Sequence, residues 1–491
     1  MTVAAPRRRG LGPKTREAAV TVGAPRRRGL GRGPGRLLLL VPLGCFGYVL
    51  VRPVPTNATL LAALGLMSVC ALAAVVVRAP RLAPTFAVVL LGQLAFAAFG
   101  ILVGLRGGNP GILSAIAVEL AAPVLYWSLV WAVDAGLARS ALTCLAVMTS
   151  LLSTTIVLYV ANQKGILPQL VPSSILVGSG SGFNDFGTHT EVRFYGLSTL
   201  AAAGPMWIAS LFVARDGLMP HILLRSYAAV SAMTAVLLGG RQAVVLTMVA
   251  APLLLWGCSR VIGRQVRPFV AAGAPSAGTG NRTLRMTVAA AGILAAMSLV
   301  GRFALGFDSI GPVGRALDSL VSLLSGNDGG DTDSRILIEE SRELLNGWAS
   351  APVGGHGFGA VIHNYSRSAD RPWHFELQYH LLLFQTGVVG AMLLAVVLVC
   401  AARALRMAVR RCPQYSATLA VTVVGATALL IANYADPYLQ APGHMWAAYL
   451  PLAIGNAMLV GGGPGGSADT VQPQPVSPTA ARHAPSQARN E

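Results

Sequence analysis

Long runs of apolar residues, broken by short polar stretches, recur along nearly the whole chain, and their spacing predicts helices rather than strands. Twelve runs are long enough to be read as spans: 37–51, 58–77, 84–105, 112–133, 141–161, 196–214, 221–239, 242–259, 287–306, 378–402, 417–434 and 444–461. A hydrocarbon core of about 30 Å takes roughly 20 residues of helix, whereas barrel strands are about 10 residues long and two-faced. The pattern predicts an all-α polytopic membrane protein. The first run is short and interrupted by Pro42 and Gly44.

Two polar segments between runs, about 162–195 and 307–377, are too long to be simple connections, and chemistry is expected in them. In the second, Asp331-Thr-Asp333-Ser334 precedes Leu337, Ser341, Leu344, Leu345 and Trp348. Those positions predict an amphipathic helix, capped by the acidic residues and ended at Asn346-Gly347, with Trp348 as an interfacial anchor. Pro352-Val-Gly-Gly-His356-Gly-Phe-Gly359 then reads as a tight, backbone-exposing loop. It lacks the Gly-Lys-Ser/Thr ending and the preceding strand of a nucleotide loop.

Composition agrees with the pattern: 54% hydrophobic residues, 11% charged residues and a mean hydropathy of +0.61 exclude an ordinary soluble domain. Placing the N-terminus inside puts 26 of 37 Lys and Arg on inner segments and 13 of 19 Asp and Glu on outer ones. Both termini are then cytoplasmic, and the long loop at 307–377 lies outside, between spans nine and ten. The net charge of +18 is largely this topogenic charge and does not point to nucleic acid. Residues 1–36, with a near-repeat of Ala-Pro-Arg-Arg-Arg-Gly-Leu-Gly, read as a disordered basic tail without a signal peptide, and 462–491 as a second disordered tail. The six cysteines lie in spans or on the inner side, so no disulfide framework is expected.

Candidate chemistry gathers at the edges of the spans. Arg241 opens the span at 242–259, and His374 lies in Pro372-Trp-His-Phe-Glu-Leu-Gln-Tyr-His380, which runs into the span at 378–402. Ionisable groups at such places commonly serve chemistry or transport. Asp331-x-Asp333 as a metal motif, and His374, Glu376 and His380 as ligands, are weaker readings than capping and loop structure, so no metal or cofactor is expected.

The order of these features resembles the O-antigen polymerase and O-antigen ligase superfamily of membrane glycosyltransferases over roughly 190–455. The matching elements are Glu191-Val-Arg193-Phe-Tyr-Gly196, Gly240-Arg241-Gln-Ala243, Ser334-Arg335, Pro352-x-x-Gly-x-His-Gly-x-Gly359, His374-Phe-Glu376-Leu-Gln378 with Gly387-Val-Val-Gly390, and Asp436-Pro437-Tyr-Leu. Gln follows Arg241 where Gly is common in that family, and Asp436 stands where Asn is common. The resemblance implies a GT-C-like fold in a bacterial cytoplasmic membrane. It also implies inverting, metal-independent transfer of an undecaprenyl-pyrophosphate-linked glycan to a sugar hydroxyl on the outer face. His374 would be the base, Arg241 the pyrophosphate clamp, and Arg193, Arg335 and Glu376 substrate contacts, with membrane lipids and other polysaccharide-assembly proteins as partners. The segments favour the polymerase branch over ligase. A twelve-span transporter or flippase is the rival class, although the longest loop is outer and off-centre and no two-half repeat is seen. A peptidoglycan polymerase using Asp370 or Asp333, and a non-enzymatic scaffold, are the remaining alternatives.

Overall fold

The computed structural model describes residues 37–263 and 332–461, apart from 55–57, 79, 186–189, 240, 364 and 435. The span expected at 287–306, Asp331, much of the loop at 307–377 and both tails lie outside the described residues.

The described chain is almost wholly helical. Its helices are α1 (Leu37–Val51), α2 (Ala58–Arg78), α3 (Pro84–Arg106), α4 (Ile112–Ala115), α5 (Ala122–Ala132), α6 (Ala135–Gln163), α7 (Ser173–Gly178) and α8 (Leu200–Ser210). They continue with α9 (Ile222–Gly239), α10 (Gln242–Val249), α11 (Ala251–Val261), α12 (Thr332–Ser350), α13 (Gln378–Arg411), α14 (Ser416–Ala432) and α15 (Trp446–Gly461). Among the described residues seven helices are long and apolar enough to cross a membrane, or eight if the bent pair α10–α11 is one span. A two-stranded hairpin, β1 (Gly182–Asp185) and β2 (Thr190–Arg193), pairs Gly182 with Arg193.

Several elements depart from the expected segments for visible reasons. Within the run 196–214, Tyr195–Thr199 is a 3-10 turn and the α-helix proper is only α8, eleven residues that are all buried. A helix apolar all round belongs in the middle of a bundle, and α8 packs against α9, α10 and α14. Small residues allow the close approach: a Cβ on Gly204 would stand 1.9 Å from Met248 Cε, and one on Gly425 3.0 Å from the Ala202 carbonyl. The run 242–259 is bent by 65° between α10 and α11, where Pro252 opens the second helix. Helix α12 does not stop at Asn346-Gly347 but continues to Ser350. Gly347 keeps the helix going and lets Phe384 of α13 pack on it, since a Cβ there would meet the ring at 2.8 Å.

The helices assemble with α6 on α9, α1 on α2, α2 on α5, α3 on α13, α14 on α15 and α12 on α13. Hydrogen bonds gather one set of helix ends together. Thr199 donates to the Leu50 carbonyl at the end of α1, Tyr379 at the start of α13 donates to the Leu430 carbonyl near the end of α14, and Asn109 after α3 donates to the loop before α13. At the opposite end Asp216 accepts from the N–H and hydroxyl of Thr418 in the first turn of α14, while buried Arg225 donates to the last carbonyl of α8, Ser210.

Candidate functional site

Arg241 lies at the gathered end. It is the N-cap residue of α10, extended in conformation (φ −78°, ψ 91°), and its carbonyl accepts the Val245 N–H at 3.1 Å. Its guanidinium Nη1 stands 3.5 Å from Asp436 Oδ1, with both side chains about one-third exposed (34% and 31%). The tyrosine of the same Asp-Pro-Tyr-Leu turn, Tyr438, donates its hydroxyl to Asp436 Oδ2 at 3.0 Å.

The turn is fixed from beneath. Asn433 Oδ1 accepts the Leu439 N–H at 2.9 Å, and His444 bridges the Tyr438 carbonyl and the Ser198 hydroxyl at 2.9 and 2.6 Å. Because a carbonyl only accepts, His444 carries a proton on Nδ1, and its Nε2 lies against the Ser198 hydroxyl, which also faces the Tyr195 carbonyl at 2.9 Å. The contact ties the turn to the 3-10 segment that follows Arg193.

The same turn reaches the His374 segment. Gln440 donates from Nε2 to the Phe375 carbonyl at 3.0 Å and to Gln378 Oε1 at 2.7 Å. Arg241 and His374, more than a hundred residues apart in sequence, are thus connected through one five-residue stretch, Asp436 to Gln440. His374 is flanked by fully buried Phe375 and by Trp373, whose indole packs so closely on Gly111 that a Cβ there would be 2.4 Å away. Its own N–H donates to the Arg371 carbonyl at 3.0 Å. The imidazole is half-buried and makes no side-chain hydrogen bond among the described residues. Burial, the positive charge of Arg371 and, less, that of Arg367 push its pKa below the ordinary 6.5, against an opposing pull from Glu340. Neutral imidazole is therefore favoured near pH 7, the form that accepts a proton.

Glu340 is the residue that sequence reasoning missed. On α12 it is fully buried, and its Oε1 accepts the N–H groups of both Glu376 and Leu377, at 2.6 and 2.7 Å. Its Oε2 pairs with Arg367 at 3.2 Å, and Arg367 also pairs with Glu376 at 2.9 Å. A signal existed: Glu340 stands three residues after Leu337 and four before Leu344, on the apolar stripe of an amphipathic helix. Arg367 and Arg371 were missed as well, and nothing in their spacing marks them.

The other expected contacts are less concentrated. Glu376 is in place beside His374 but engaged with Arg367. Arg193 ends β2, a strand that packs on α9, and is exposed; Arg335 is exposed in the first turn of α12. Neither has an ion-pair partner among the described residues.

The glycine-rich loop has a different role from the one its composition suggests. The backbone N–H groups of Gly355, His356, Gly357 and Phe358 donate to the carbonyls of Ala351, Phe384, Gln385 and Gly100. Val388 and Val389 donate back to Pro352 and Val353. The loop therefore plugs a break in α13 at Gly387 (φ 60°, ψ −165°) instead of presenting its backbone to a ligand. Gly355, Gly357 and Gly359 all have positive φ, and a Cβ on Gly357 would lie 2.2 Å from the Gly104 nitrogen. His356 closes the loop onto the end of α12, its Nε2 at 2.9 Å from the Gly347 carbonyl and 3.0 Å from the Ser350 hydroxyl.

Among the described residues no group of three or more His, Cys, Asp or Glu could hold a metal ion. A small apolar pocket of about 90 Å³, lined by Phe46, Met67, Tyr126, Trp446 and Tyr449 among others, lies apart from the residues above. Compared with protein families, characterised proteins and solved structures, the chain matches none. The functional reading rests on its own residues.

Proposed function

We propose that this chain is a polytopic glycosyltransferase of a bacterial cytoplasmic membrane. It would move a polyprenyl-pyrophosphate-linked oligosaccharide onto a sugar hydroxyl at the outer face, in surface-polysaccharide synthesis. The observation that carries this reading is the turn from Asp436 to Gln440, which touches the Arg241 guanidinium at one end and the backbone beside His374 at the other. An anion clamp and a neutral base on one scaffold are the two groups that displacement of a pyrophosphate requires.

In the proposed step the acceptor oxygen attacks the anomeric carbon as the C–O bond to phosphate breaks, and the electron pair leaves on the pyrophosphate. His374 takes the hydroxyl proton, help usually worth about 10²- to 10⁴-fold. Arg241 meets the growing negative charge with a permanently charged fork, aided by the positive end of the α10 dipole. Attack opposite the leaving group inverts the anomeric centre. Arg193 and Arg335, both exposed, are the further cations offered to the pyrophosphate or to an acidic glycan, and Arg371 joins them. Glu376 braces the His374 segment through Arg367. The twelve-span arrangement, both termini cytoplasmic, the outer loop between spans nine and ten, and the polymerase rather than ligase assignment belong to the same proposal.

A second reading, a transporter or flippase of the same precursor, draws support from the bend between α10 and α11 and the break at Gly387, because carriers build sites at discontinuous helices. One experiment separates the two. Purified protein in nanodiscs is given an undecaprenyl-pyrophosphate oligosaccharide with EDTA and no nucleotide sugar, beside folded His374→Ala and Arg241→Ala variants. Chain growth lost in both variants supports the transferase; no transfer with movement of lipid-linked substrate across vesicles supports the carrier.

A further inference from the structure

Next to the Arg241–Asp436 pair the structure assembles an aromatic corner that the transfer step does not use. The ring of Tyr434, at the end of α14, lies 6.4 Å from that of Tyr379 with 30° between planes, and 6.2 Å from that of His380 at 59°. Tyr379 is anchored through its hydroxyl to the Leu430 carbonyl, and 37% of the residue is exposed. The Tyr434 hydroxyl makes no hydrogen bond among the described residues, and His380 Nδ1 is buried without a partner. Two residues on from Tyr434, the Asp436 carboxylate is about one-third exposed.

A corner built only to seat aromatic side chains at a membrane surface would leave each polar tip in water or paired. The two tyrosine tips meet that description, one paired and one open, but the buried Nδ1 of His380 lacks a partner. A flat ring face beside hydroxyl, imidazole and carboxylate groups matches a pyranose. The C–H face of the sugar packs on the aromatic ring, while its hydroxyls need both donors and acceptors at the rim. Tyr379 also stands five residues after His374, and Tyr434 two before the partner of Arg241.

We propose that Tyr379, Tyr434, His380 and Asp436 form a carbohydrate subsite that binds a terminal pyranose of the acceptor glycan beside the Arg241 clamp. The proposal rests on the transferase reading, whose acceptor it places, yet sugar binding is measurable without transfer.

The test uses the full chain in nanodiscs and saturation-transfer NMR with free, lipid-less tetrasaccharides of glucose, galactose, mannose and rhamnose as probes. At least one is expected to bind the wild type. That binding should weaken about tenfold in Tyr434→Ala and Tyr434→Leu and persist in Tyr434→Trp. Tyr434→Leu keeps apolar volume, so a folded Leu variant that still binds as wild type overturns the subsite. So does a wild type that binds none of the four sugars. In the transfer assay, Tyr434→Leu is expected to raise the acceptor KM about tenfold with donor KM unchanged. Transfer without that rise sinks the subsite and spares the transferase. Tyr434-dependent sugar binding without transfer under any donor sinks the transferase and spares the subsite.

Discussion

Glu340 accepts the backbone N–H of Leu377 at 2.7 Å, so a fully buried carboxylate on the amphipathic helix α12 holds the chain where it enters the membrane helix α13. The same oxygen takes the Glu376 N–H, and the other oxygen faces Arg367. Removing the carboxylate strands the N–H groups of Glu376 and Leu377 at about 1–3 kcal/mol each, while Arg367 keeps its pair with Glu376. Glu340→Leu is expected to lower stability by that order, read as a fall in Tm of the detergent-solubilised protein. Glu340→Gln keeps one acceptor oxygen and should cost about 1–3 kcal/mol. Equal Tm values for wild type and Glu340→Leu would refute the role.

Arg241 is expected to need its fork and not merely its charge. Arg241→Lys retains a cation but loses the planar pair of N–H donors that fits two oxygens of one phosphate. If the residue clamps pyrophosphate, kcat/KM for the lipid-linked donor falls roughly 10- to 100-fold in Arg241→Lys, with the acceptor KM unmoved. The contact to Asp436 is long and partly exposed, worth about 0–1 kcal/mol, so thermal unfolding of the variant should remain close to wild type. A lysine variant of full activity would reduce Arg241 to a headgroup anchor.

The hydrophobic runs made the helical architecture legible. Nearly every described run coincides with a helix, because a stretch of roughly 20 apolar residues has few other solutions. Where the reading failed, the decisive information was long-range. Nothing in residues 196–214 says that only 200–210 forms an α-helix, since that follows from α9, α10 and α14 closing around it. The glycines of 354–359 were visible as permissive residues, but their purpose, filling the break at Gly387, depends on a helix that begins well further along the chain. Arg241 and His374 stood out as polar groups at span edges, and Asp436 only as part of the Asp-Pro-Tyr-Leu resemblance. Glu340 did not, because a carboxylate on an apolar stripe becomes meaningful only once its backbone partners at 376 and 377 are in place.

The loop itself yields a sharp contrast between neighbours. Gly355 and Gly357 have positive φ, and a Cβ on either would stand within 2.4 Å of neighbouring backbone, whereas a Cβ on Gly354 meets nothing within 4 Å. Gly357→Ala combines strain with a clash against Gly104 and is expected to cost about 3 kcal/mol or more. Gly354→Ala should lie within about 0.5 kcal/mol of wild type. Paired thermal-unfolding curves check both; a tolerated Gly357→Ala would mean that the loop does not plug α13 as described.

The pH dependence of transfer tests the base. Burial first, then Arg371, hold the His374 pKa below 6.5, with Arg367 acting in the same direction and Glu340 against it. The neutral form is the active one, so transfer should hold as pH falls through 6.5 and decline only at lower pH, when the imidazole takes a proton. Stability linked to this group has the same sign. The folded state resists protonation more than the unfolded chain does, so its contribution is present above 6.5 and is lost as pH falls from there through the folded pKa. Removing the Arg371 charge in Arg371→Gln lets the pKa rise, and the acid limb of kcat/KM should move to higher pH, apart from any drop in the plateau through loss of a substrate-facing cation. An acid limb that stays in place would leave His374 outside the proton transfer or Arg371 outside its field. A His374→Gln variant with residual, pH-independent transfer then decides which, since only the first case lets it keep the wild-type rate.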